Sequence, residues 1–152
     1  MSIIPLTLNP NPMLRRKLEN VSNIADEDIQ RLVEDMRVTM VAAQGIGLAG
    51  NQVGRDVQIF TIDKQLAKKA GISDVFINPV IGSASEKTSL MEEGCLSIPG
   101  KFDEVRRASE VTVSATDTHG KAFRVRATGL LARVLQHEID HLNGILFVDK
   151  LT

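Results

Sequence analysis

The chain has 152 residues, 43% hydrophobic and 24% charged, enough to close one apolar core without covalent staples. A formal net charge of −1 leaves no electrostatic footprint for wrapping nucleic acid or coating an acidic membrane. Cys95 is the only cysteine, which excludes an internal disulfide and fits a reducing compartment. The start, MSIIPLTLNPNPMLRR, places its basic residues after a short, proline-broken apolar stretch, the reverse of a secretory signal, and no stretch reaches membrane-spanning length. The expectation is one cytoplasmic domain over residues 1–152, with no direct nucleic-acid motif and no membrane association.

The first basic group, Arg15-Arg16-Lys17, reads as solvated surface, and so does Arg106-Arg107 further on. Residues 26–43 predict a helix, because Ile29, Leu32, Val33, Met36 and Met40 recur at helical spacing. Asp26 is its expected N-cap, with Glu27 and Asp28 at the positive end of the helix dipole. Gly45-Ile46-Gly47 ends it. Val57–Ile62 and Val75–Ile77 are strand-like, punctuated by Asn78-Pro79 and Gly82. Val111, Val113 and Ala115 alternate with polar residues, and His119-Gly120 turns the chain into Phe123, Val125 and Ala127. That pattern predicts a β-hairpin with one buried face. A last helix is expected from Gly129 to Asn143, with Thr128 as N-cap and Gly144 as the stop. These elements make an α+β fold, with mostly antiparallel strands packed around a C-terminal helix.

That helix carries the strongest chemical signal, His137-Glu138-Ile139-Asp140-His141. Histidines four apart lie one turn apart on one face, so both imidazoles can reach one cation. Glu138 then stands where it can handle a proton on water rather than bind the ion. A catalytic site of this type needs a third protein ligand and an open position. Phe147, six residues past His141, cannot ligate, and the 11 residues after His141 hold no glutamate, so the third ligand is sought upstream. Cys95 stands out there, in Met91-Glu92-Glu93-Gly94-Cys95-Leu96-Ser97-Ile98-Pro99. A nucleophilic Cys–His pair is the competing reading, but it leaves the second histidine and Glu138 without roles.

Three segments resemble, in order, the three signature motifs of the peptide deformylase family. They are Gly45-Ile46-Gly47-Leu48-Ala49-Gly50-Asn51-Gln52, Glu93-Gly94-Cys95-Leu96-Ser97, and Gln136-His137-Glu138-Ile139-Asp140-His141. The resemblance extends from about residue 8 to residue 151. It implies a hydrolase that removes the N-terminal formyl group from formyl-methionyl peptides and nascent chains by attack of metal-bound water. One divalent ion per chain is implied, held by Cys95, His137 and His141. Fe²⁺ is the favoured native metal, and Zn²⁺, Ni²⁺ or Co²⁺ is possible.

In the same reading Glu138 is the general base. The Gln52 side chain and the Leu96 N–H stabilise the oxyanion, and the Ile46 and Gly94 backbones pair with the substrate. Gly47, Glu93, Leu130 and Val134 line the methionine pocket. Three departures from the family pattern stand out. Gly50 replaces a usual alanine, which is expected to loosen the loop. Arg133 is expected on the exposed side of the pocket-lining turn. The chain stops at Thr152, where many bacterial relatives continue into a helix linked to ribosome docking, so that association is left open. A metallopeptidase of other specificity and an inactive deformylase-fold binding protein are the rival functions.

Overall fold

A computed structural model describes residues 1–151. Helix α1 (Glu27–Ala42) begins as expected, with the Asp26 carboxylate accepting from the Asp28 N–H at 2.8 Å. Its apolar stripe of Ile29, Leu32, Val33, Met36 and Met40 is buried. The chain then enters β1 (Gly47–Ala49), a 3₁₀ turn over Gly50–Val53, and β2 (Ile59–Ile62). A short helix, α2 (Lys64–Ala70), is capped by Asp63. Strand β3 (Val75–Ala84) does not stop at Asn78-Pro79: it shifts register there, with Asn78 at φ 51°, and runs on.

Strands β4 (Thr88–Cys95) and β5 (Ile98–Ala108) form a long antiparallel hairpin of their own. Strands β6 (Glu110–Thr116) and β7 (Ala122–Thr128) form the expected second hairpin, and α3 (Gly129–Leu142) follows β7 directly. Thr128 precedes α3 in extended backbone but makes no side-chain cap. Gly144, at φ 76°, takes the left-handed conformation expected of the residue that stops a helix.

The fold is α+β and antiparallel throughout, with a five-stranded sheet in the order β1-β2-β3-β6-β7 beside the two-stranded β4-β5 sheet. Strand alternation explains why β2 and β3 read as unbroken apolar runs. Phe60, Ile62 and Phe76 join Val111, Val113, Val125 and the α3 residues Leu131, Leu135 and Leu142 in one cluster. Ile59, Val75 and Ile77 point the other way, to the α1 stripe. The β1–β3 end is therefore covered by a helix on each face, and α3 is held between the sheet and the β4–β5 hairpin. Among the described residues no helix is long and apolar enough to cross a membrane.

The sequence expectation for Gly50 is corrected, and that for the first basic group gains its partners. Gly50 does not loosen its turn: it is fully packed, and a Cβ there would lie 2.6 Å from the Val57 carbonyl oxygen. The Arg55 N–H also donates to the Gly50 carbonyl at 2.9 Å, tying the following turn down. The Arg15–Lys17 group is solvated as expected, but Arg15 pairs with Asp149 and Arg16 with Asp56, so little unpaired positive charge remains there.

Candidate metal centre and active site

Helix periodicity places His137 and His141 on one face of α3, with their Nε2 atoms 3.2 Å apart. Cys95 closes β4, and its Sγ lies 3.2 Å from His141 Nε2. All three donor atoms fall within 4.8 Å of one another. Donors about 2.0–2.3 Å from a shared tetrahedral ion stand roughly 3.3–3.8 Å apart, so this spacing needs only small adjustment to hold one. Burial holds the His141 imidazole well below its ordinary pKa, which favours its neutral form. Burial also opposes charge on His137, yet hydrogen bonds to Cys95 and Glu93 raise it to about 10.

The far side of His137 is fixed by a buried network. Its Nδ1–H donates to Glu93 Oε1 at 2.8 Å, which turns Nε2 toward the other donors. Arg107 grips Glu93 through Nε at 2.5 Å and Nη2 at 2.9 Å, and reaches Asp140 through Nη1 at 2.8 Å. Arg133 Nη1 donates to Glu93 Oε2 at 2.6 Å and to the Val105 carbonyl, while Nη2 donates to the Ser89 carbonyl. Burial alone would raise the Glu93 carboxyl, but His137 and Arg107 hold it at about 2. Arg107 and Arg133 are each only 5% exposed, so neither is surface, contrary to the sequence expectation. The signal for Arg107 was its parity with Val105: two apart on a strand, both face α3. Arg133 had none, since one helical turn separates it from the equally buried His137 without revealing a partner.

Glu138 is 4% exposed, and its Oε1 is buried without a hydrogen-bond partner. Burial pushes its carboxyl up to about 7. Its other oxygen faces Gly47, where an added Cβ would sit 2.5 Å away, so this loop position accepts only glycine while Glu138 stays in place. Gln52 is anchored by its oxygen, which accepts from the Ala49 N–H at 2.9 Å. That leaves the amide nitrogen pointing at Ser97 Oγ (3.1 Å) and Cys95 Sγ (3.5 Å). Asn51 donates to the His141 carbonyl at 2.7 Å, tying the loop to the helix. Ser97 and Asn51 lie inside the recognised motifs, though only the folded chain reveals these contacts.

A cavity of about 450 Å³ opens beside these groups. Ile46, Gly47, Gln52, Glu93, Gly94, Leu96, Leu130, Val134, His137 and Glu138 all line it, with Cys95. His141 lies behind, 1% exposed. Every site residue expected from sequence is thus brought to one place. Val134 is buried in the wall and Leu130, 47% exposed, stands at the mouth. Glu93 reaches the cavity, but its carboxylate is taken up by Arg107, Arg133 and His137. The Ile46 carbonyl likewise already accepts from the Asp63 N–H at 2.9 Å.

A cysteine sulfur, two imidazoles and a buried carboxyl converging on a cavity define, on this fold, a metal-dependent hydrolase. The family model for polypeptide deformylase matches residues 3–152. A peptide deformylase of Rhizobium meliloti is 47% identical, over 100% of this chain and 87% of its own. The crystal structure of a Legionella pneumophila peptide deformylase superposes with TM-score 0.91 at 44% identity, covering 99% of this chain and 87% of that one. A Thermotoga maritima peptide deformylase gives TM-score 0.91 at 34% identity, over 100% and 99% of the two chains. The chain belongs to the polypeptide deformylase family. Its activity is removal of the N-terminal formyl group from formyl-methionyl peptides.

Proposed function

We propose that Cys95, His137 and His141 hold one divalent ion and that Glu138 moves the protons of deformylation. We read residues 1–152 as one catalytic domain. The supporting observation is the convergence of the three donors with the unpartnered Glu138 oxygen and the Gln52 amide at one end of the cavity. When bound, the ion supplies Lewis acidity to water and to the formyl oxygen. One thiolate and two imidazoles accept Zn²⁺, Fe²⁺, Co²⁺ or Ni²⁺, and the family resemblance favours Fe²⁺.

The protein's own groups carry the remaining work. Glu138 takes a proton from the water attacking the formyl carbon and passes it to the leaving amine, a role suited to a carboxyl near 7. The Gln52 amide nitrogen and the Leu96 N–H donate to the oxygen as it becomes negative. Ile46 and Gly94 meet the peptide main chain as neighbours of an added strand. With its carbonyl engaged by Asp63, Ile46 offers its N–H. Leu130 and Val134 take the methionine side chain, whose flexible thioether suits an apolar slot. Gly45, Gly47 and Gly94 all line the cavity, and a formyl carbon, which carries only hydrogen, is the acyl group best suited to a narrow slot beside them. The substrates include the formylated ends of newly made chains, in the cytoplasm.

The test separates metal binding from proton transfer. Glu138→Gln should keep one metal per chain and lose about two or more orders of magnitude in formate release from formyl-Met-Ala-Ser. A parallel fall in metal content would make Glu138 a ligand and overturn the division of roles.

A further inference from the structure

Of the five phenylalanines, Phe60, Phe76 and Phe147 are buried and Phe123 packs partly against the core. Phe102 differs: it is 63% exposed. Its place on the surface is specific. It stands on β5 directly across from Gly94, beside the ligand Cys95, and lines the same cavity as Leu130, Val134 and His137. The ring lies so close to Gly94 that a Cβ there would overlap it. The absence of a side chain at position 94 is therefore what lets the aromatic ring lie down at the cavity mouth. Met91 and Leu130, 42% and 47% exposed, also line that cavity, which gives the opening apolar surface without a matching internal partner.

We propose that Phe102 is a specificity-determining residue, its ring forming a platform on which the third residue of the formylated peptide packs. The proposal rests on the added-strand reading of substrate binding. In an extended peptide successive side chains alternate, so with methionine turned into the cavity the second side chain points away. The third returns to the cavity side about 6.7 Å further along. The floor of the cavity is occupied by methionine against Val134, and the mouth, where Phe102 lies, receives the next side chain on that face. A large apolar side chain there covers the ring and is favoured, whereas glycine gains nothing. An acidic side chain meets Glu92 and Glu104, the cross-strand pair next to Gly94 and Phe102 on the same face of the hairpin, and is disfavoured.

The experiment compares formyl-Met-Ala-Leu, formyl-Met-Ala-Gly and formyl-Met-Ala-Asp amides with the metal-loaded enzyme and with Phe102→Ala. In the unmodified enzyme the Leu-to-Gly ratio of kcat/KM should be about three- to tenfold, as for contact with one exposed ring, and should arise in KM. In Phe102→Ala the ratio should fall toward one, and Phe102→Lys should move the preference to Asp. A ratio near one in the unmodified enzyme, or one that survives Phe102→Ala, overturns the platform. Hydrolysis of the Gly substrate still reports deformylation, so the two readings fail separately. A preference that instead follows the second residue also overturns the assignment.

Discussion

Gly47→Ala is the smallest change that should disable this enzyme. The new Cβ would lie 2.5 Å from Glu138 Oε2, 2.8 Å from Cδ and 3.0 Å from Cγ. Ordinary contact begins near 3.4 Å, so the carboxyl must withdraw by roughly 1 Å. Glu138 is buried on a helix whose position is set by packing of Leu131, Leu135 and Leu142, so the side chain has to leave its rotamer. Overpacking of this kind costs about 1–3 kcal/mol of stability. A proton carrier displaced by about 1 Å loses on the order of 100-fold in rate. The expected outcome is a kcat for formate release about two orders of magnitude down, with metal content intact. In a Glu138→Gln background the same alanine should remove little further rate, because the group it displaces is already disabled. A Gly47→Ala enzyme within threefold of the unmodified kcat, fully metal-loaded, would refute the reasoning. An equal loss in both backgrounds would mean that alanine obstructs the substrate, since Gly47 also lines the cavity.

Cys95→Ala should lower metal content below one per chain together with activity, read by metal analysis and formate release; full retention of both would remove Cys95 from the ligand set. Arg107→Met should destabilise urea unfolding by about 3–5 kcal/mol, because Glu93 and Asp140 both lose a buried partner. Arg133→Met should cost less, because it takes an ion-pair partner from Glu93 alone whereas Arg107 serves both Glu93 and Asp140, so the reverse order would contradict the network. Gly50→Ala should lower the free energy of unfolding by about 1–3 kcal/mol through its clash with the Val57 carbonyl, and an unchanged or raised stability would show that this turn yields.

The site was legible in sequence where chemistry fixes spacing. Two histidines one turn apart, a cysteine after glycine and a loop ending in glutamine are short patterns whose function depends on local geometry. The α1 stripe and the β6–β7 alternation were legible because each buries one regular face. The β4–β5 hairpin was not, since most of its side chains are exposed and it leans on α3 through Glu93 and Arg107 rather than an apolar stripe. A charged residue at an interface looks, in one dimension, like a charged residue in water. Arg107 and Arg133 were misplaced for that reason. Gly50 was misread for another: a glycine chosen for close approach and one chosen for flexibility are the same letter, and only the Val57 carbonyl distinguishes them.

The direct junction between β7 and α3 gives the protein a rule for tolerating length changes. Strand register fixes Thr128 opposite Glu110, and the helix starts at the next residue, with Gly129 at φ 59°. No slack lies between the ladder and the histidines. One residue inserted between Thr128 and His137 would rotate the rest of the helix by about 100° and carry both imidazoles away from Cys95. The same residue inserted at the Asp117–Gly120 turn can be absorbed by that loop. The β6–β7 pairing thus acts as a rotational index for the ligands, so this hairpin can vary in length at its tip but not at its base.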